Sequence, residues 1–196
     1  MTLPPLEPRS STLDTLDAAG SPWTESWRAD PIARAVADRH YNRQKIGAAQ
    51  FVPPGRCLVL RARRALWITS WPFGEYVKHR WPGAWVCSAF RREVRRGPQA
   101  STMIRAAVAA TRAKFGDPPE LGMITFVNAA KVKAKATPGY CFLMAGFLPD
   151  GESKGGLLAF RLSPDAMPLP RAALPRAPEL CFPDTIPIEV SDDDAP

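Results

Sequence analysis

One stretch constrains the fold of this chain more than any other. A β-rich apolar run, Ala84 to Phe90, leads through the basic segment Arg91–Gln99 into a helical pattern from Ala100 to Phe115, and Leu121 to Asn128 is again a buried-type strand. Within the helix Met103, Ile104, Ala107, Val108, Ala110 and Thr111 recur as one apolar stripe, with Arg105 and Arg112 away from it. Ser101 is placed to cap its start, and Gly116-Asp117-Pro118-Pro119 stops it, because proline has no N–H to donate and clashes with a continuing helix. Strand, helix and strand in this order form a right-handed crossover, which demands a parallel strand pair. Where parallel strands part, their carboxyl ends leave a crevice, and a helix N-terminus aimed into it favours anions.

The flanking segments predict antiparallel partners. Asp30-Pro31 is a helix start, with an N-cap carboxylate and a proline where no donor is needed; Ile32, Ala35, Val36, Arg39 and His40 follow at helical spacing into His40-Tyr41-Asn42-Arg43. Cys57–Arg61 and Ala65–Trp71, joined by Ala62-Arg63-Arg64, read as a hairpin. Pro138 to Phe147 is a short helix or turn, and Gly155 to Leu162 a final strand reached through a polar loop, Pro149 to Lys154. The expected class is α+β: a mixed, mostly antiparallel sheet with a central parallel pair and flanking helices.

Charge divides the chain into three. Residues 1–30 carry 2 basic and 5 acidic residues, residues 165–196 carry 2 and 7, and residues 31–164 carry 22 and 7, a formal +15 between ends of −3 and −5. The two ends also hold 11 of the 22 prolines. This predicts an acidic N-terminal segment (1–30), one folded domain (31–164) and a Pro-rich arm with an acidic tail (165–196). The tail is either a plain solvated tail or an electrostatic cover for the basic body. The basic body favours a polyanionic partner. The four cysteines form no CxxC pair and read as reduced thiols, and with no apolar run long enough to span a bilayer and no secretory-type start the chain reads as cytoplasmic.

The candidate chemistry clusters around the crossover. Arg91, Arg92, Arg95 and Arg96, with Gly97, Gln99 and Ser101 at the helix start, suit a pyrophosphate or a DNA backbone equally. Strand alternation puts Arg91 and Glu93 on one face, where both can point into the crevice. Tyr41 and Tyr140 are alternative acid–base groups, on the argument that a phenol near positive charge loses its proton more easily. His40 reads either as a packing residue or, with a carboxylate and water, as a metal ligand; with only two histidines, a multi-histidine site is impossible. Trp71 and Trp81 lie in Pro/Gly-rich connections, where a flat ring can stack on a base, and Arg43, Lys78, Arg80, Lys131, Lys133 and Lys135 are candidate DNA contacts.

Over residues 31–162 this order of elements resembles the GNAT acyltransferase superfamily, in which a strand, a loop and a long helix hold the phosphates of acetyl-CoA. More narrowly the chain resembles Mom-like phage DNA modification proteins, through His40-Tyr41-Asn42-Arg43 and the segment Gly139-Tyr140 to Phe147; Asn128 stands where those proteins carry an acidic residue. The resemblance implies a GNAT fold, an acetyl-CoA-type donor, possible use of iron, and transfer to a nucleobase of phage or prophage DNA, adenine by analogy, as protection from restriction. In that reading the crevice near Arg91, Glu93 and Asn128 receives an extruded base. The alternatives are an acetyl-CoA-dependent N-acetyltransferase acting on a small molecule or protein, and a non-catalytic DNA-binding protein.

Overall fold

The computed structural model describes residues 21–94, 96–132 and 137–176. Among these residues seven strands form one sheet, β1 (Thr24–Ser26), β2 (Arg56–Ala62), β3 (Ala65–Trp71), β4 (Trp85–Arg92), β5 (Met123–Val127), β6 (Leu148–Glu152) and β7 (Leu158–Leu162), in spatial order β1-β2-β3-β4-β5-β7-β6. Every pairing is antiparallel except β4 with β5. The class is therefore α+β, as expected. The parallel pair is joined by α2 (Ala100–Phe115), whose bounds match the helical pattern residue for residue. No helix among the described residues is long and apolar enough to cross a membrane.

Alternation along the strands separates two cores. Leu58, Leu60, Ala65, Trp67, Trp85 and Cys87 face α2 and α3 (Tyr140–Leu143). On the opposite face Val59, Leu66 and Ile68 pack against α1 (Pro31–Ala37) and Phe51, while Trp81, Ala84, Ile124 and Ala159 cluster beside them. β4 breaks the alternation once. Its ladder to β3 passes from Ile68↔Ala89 to Thr69↔Cys87, so Ser88 is an extra residue, a bulge that turns both Ser88 and Ala89 away from α2. Such bulges end pairing or re-aim side chains, and they concentrate near active sites.

Several expectations need correction. α1 ends at Ala37 instead of running on to His40; Asp38 caps it, and residues 38–40 turn. Ser101 does not cap α2, because Gln99 is the N-cap residue and no side chain bonds the exposed N–H groups there. Part of the loop Pro149–Lys154 is strand β6, which tolerates Pro149 and Gly151 because it is the sheet edge.

The packed unit also reaches into both acidic ends. Trp23 is fully buried with its Nε1 donating to the Met103 carbonyl at 2.8 Å, β1 pairs with β2, and Met167 and Ala173 join the core. Leu174 bridges Thr24 in parallel, so the two ends meet at the β1 edge. Burying an indole of this size outweighs the low β-propensity of the acidic, Pro-containing surroundings. Residues 1–20 and 177–196, which include the acidic tail, lie outside the described residues.

Candidate functional site

β4 and β5 pair only over Trp85↔Met123, Val86↔Ile124 and Cys87↔Thr125. Beyond those pairs β4 runs on to Arg92 and β5 to Val127 without pairing with each other, so the only parallel strands among the described residues part at Cys87 and Thr125. The crevice expected from the crossover is present, and the turn after α1 fills it. Tyr41 and His40 lie among Cys87, Ser88, Phe90, Thr125, Phe126 and Phe142, leaving a residual cavity of about 20 Å³. The two rings stack, with centroids 4.5 Å apart and planes inclined by 26°.

Both rings are neutral at physiological pH. Burial, with Arg91 adding like-charge repulsion, depresses the His40 imidazole to about 4, and hydrogen bonding to the Phe90 backbone opposes this only in part. Its Nδ1 accepts the Asn42 backbone N–H at 3.2 Å, which leaves the other nitrogen protonated and facing Phe90. Burial raises the Tyr41 phenol above its usual range, and backbone hydrogen bonding at Asn128 opposes the shift without cancelling it. The expected acidic shift is thus reversed: the positive charge of Arg91 acts on His40, and Tyr41 remains a proton donor. Cys87 and Cys141 lie within electrostatic range of the phenol, and burial pushes the Cys87 thiol up, so it is protonated.

Glu93, just past the end of β4, is an anchored anion. Arg39 binds it bidentately through two 2.7 Å contacts, Arg91 donates at 2.6 Å, and Arg64 stands at 3.7 Å. The shared face of Arg91 and Glu93 is as alternation requires. The Arg39 hydrogen bonds come first among the causes, with help from Arg91, and burial opposes them; the carboxyl falls to about 2, a poor proton acceptor at neutral pH. Because the folded value lies below the unfolded 4.5, this clamp stabilises the fold above pH 4.5 and is lost as pH falls through 4.5 towards 2. Glu93→Gln should lower stability at pH 7 by about 2 kcal/mol, discounted for the half-exposed Arg39, and flatten the acid limb of a Tm-versus-pH curve. An unchanged acid limb would show that the clamp does not set it.

The other candidate residues separate into three groups. Arg91 and the Asn128 backbone join His40 and Tyr41 at the crevice; the Asn128 side chain instead accepts the Lys131 N–H at 3.2 Å and holds a turn. Tyr140 is 58% exposed, and α3 contributes Phe142 to the crevice in its place. Arg96, Gly97 and Gln99 are exposed ahead of α2, Gly97 with φ 98° and open space where a Cβ would stand, and Ser101 is half-buried in the first turn. Arg95, Lys133 and Lys135 lie outside the described residues.

Of the six proposed DNA contacts among the described residues, four have structural work. Arg43 donates to Asp38 at 2.7 Å and to the Ala48 and Gln50 carbonyls, closing its own loop. Trp71 packs edge-on against Trp85 and near Phe115, and Trp81 is buried with its Nε1 donating to Asp150 at 2.9 Å. Neither presents a free ring face. Arg80 covers Trp81 and also binds Asp150. Lys78 and Lys131 remain exposed, and Phe73 and Tyr76, which sequence reasoning passed over, are the exposed aromatics of the same connection. Their signal was available: both precede Lys78 in the stretch that carries Trp71 and Trp81.

Iron does not fit these residues. Both His40 nitrogens are engaged, both Glu93 oxygens are taken by arginines, and no cluster of three His, Cys, Asp or Glu suited to a metal ion occurs among the described residues. At the N-terminus of α2 no side chain caps the first turn, and the Arg92 guanidinium donates to the Arg96 carbonyl at 3.4 Å just ahead of it, a setting that favours anions. Comparison of the chain with family models, curated proteins and solved structures found no match in any of the three.

Proposed function

We propose that the chain is a GNAT-like transferase that moves a small group from a CoA-type donor to the amino group of a nucleobase in DNA, with adenine as the leading acceptor. The observation that carries this reading is the pair of neutral rings, His40 and Tyr41, inserted where the parallel strands β4 and β5 part. The strand order, the α2 crossover and the bulge at Ser88, which lies beside the two rings, support it.

The Gln99–Met103 turn and the Arg92 and Arg96 side chains would hold the phosphates, and the donor supplies an activated acyl group. The amine would form the new C–N bond as the donor's C–S bond breaks, giving up its own proton to solvent. Tyr41, kept protonated, would donate to the departing thiolate and recover a proton from solvent. His40 holds the phenol by stacking and supplies no competing charge. A body of +15 with exposed Lys78 and Lys131 supports a DNA acceptor.

Expression in a host that supplies the donor should yield a plasmid nucleoside of altered mass, and CoA should raise the Tm of the purified chain. Only ordinary nucleosides would overturn the nucleobase reading. Stabilisation by CoA together with transfer to a free amine would favour the N-acetyltransferase, and salt-dependent DNA binding with no chemistry would leave a binding protein.

A further inference from the structure

A cavity of about 420 Å³ opens on the face of the sheet opposite α2, within the ~300–1,000 Å³ of small-molecule sites. Its floor is Ile68 with the bulged Ser88 and Ala89. Phe51 and Pro53 form an apolar wall, and the amides of Asn42, Gln44 and Gln50 stand at the rim. His40, Asn42, Ser88 and Ala89 also line the crevice that holds Tyr41, so the two spaces adjoin.

The charge of the lining restricts the occupant. It contains no Asp or Glu, so a cationic amine entering it would be desolvated without a counter-ion, which is costly. Its one charged side chain, Arg43, is neutralised by Asp38 at 2.7 Å and directs its remaining donors at the Ala48 and Gln50 carbonyls, so an anion gains nothing either. The three rim amides have no side-chain hydrogen-bond partner within the protein among the described residues. An amide presents a donor and an acceptor side by side, the complement of a base edge, and the apolar wall suits the faces of a flat ring.

We propose that this cavity is the acceptor subsite and takes an uncharged planar heterocycle of nucleobase type, gripped at its edge by the Asn42, Gln44 and Gln50 amides; as an acceptor site it rests on the transferase reading above. An extruded base fits this chemistry, because its charged backbone stays outside.

The test uses the full chain and saturation-transfer NMR, with 2′-deoxyadenosine as probe and spermidine and 2-deoxyribose 5-phosphate as comparators. The deoxynucleoside should bind and the comparators should not. Val52→Trp, which fills the cavity, should abolish binding, and Gln50→Leu should weaken it about tenfold, both with near-wild-type Tm. Deoxyadenosine binding unaffected by both substitutions, or preferential binding of spermidine, overturns the proposal; Asn42→Ala provides the same reading if Val52→Trp fails to fold. Wild-type levels of modified nucleoside from Val52→Trp would remove the subsite while the transferase reading stands. Cavity binding of deoxyadenosine with no modified nucleoside from the wild type would uphold the base site and remove the transfer.

Discussion

Tyr41→Phe should reduce the modified nucleoside in plasmid DNA by about 10²–10⁴-fold, the range expected for loss of a general acid, while leaving Tm and CoA stabilisation near wild type. The substitution removes one oxygen from a ring that keeps its stacking on His40 and its place between the parted strands. A structural role for the ring predicts little change in transfer, so the two roles separate cleanly. Because burial raises the phenol above its usual value of 10.0, the proton stays on through neutral pH, and activity should hold until pH passes 10. An alkaline fall near pH 7–8 would assign the titration to another group. Full transfer by Tyr41→Phe would remove Tyr41 from the chemistry.

Gly122→Ala should be the most damaging small substitution for folding, costing about 3–5 kcal/mol and lowering Tm by roughly 6–20 °C. Gly122 has φ +67°, a region in which an L side chain is strained. A Cβ there would meet the Leu162 carbonyl group, backbone that cannot rotate aside. Relief requires parting β5 from β7 at their first pair, Met123↔Leu162, next to the hydrogen bond from the Trp85 N–H to the Gly122 carbonyl at 3.0 Å. Both sides of the parallel pair are therefore disturbed. Chemical denaturation is the direct measurement, and a loss below about 1 kcal/mol would mean that the chain shifts more easily than this contact implies.

Most of the regular elements were legible because their patterns are local; β1 and β6 were not. The 3.6-residue stripe of α2, its Gly-Asp-Pro-Pro stop, the Asp30-Pro31 start and the short hairpin link Ala62-Arg63-Arg64 each depend on neighbours within a few positions. The site was legible in part. Alternation paired Arg91 with Glu93, and the crossover placed the crevice, but the direction of the Tyr41 shift depends on which ring is buried and which lies near Arg91. The stacking tryptophans were misread because a Pro/Gly-rich setting says that a residue lies in a connection, not whether that connection is pressed against the sheet. Asp150, 69 residues away in sequence, draws Trp81 inward.

The sequence by itself determined the α+β class, the parallel pair and the crossover that opens between its strands, since hydrophobic period and connection handedness leave few other ways to bury those faces. Only the tertiary structure decided that the turn after α1 fills the opening, that Glu93 is locked by arginines from three segments, and that Trp23 and Ala173 belong to the core. Those outcomes are sums of burial and charge over residues far apart in the chain, and such sums exist only once the chain is folded.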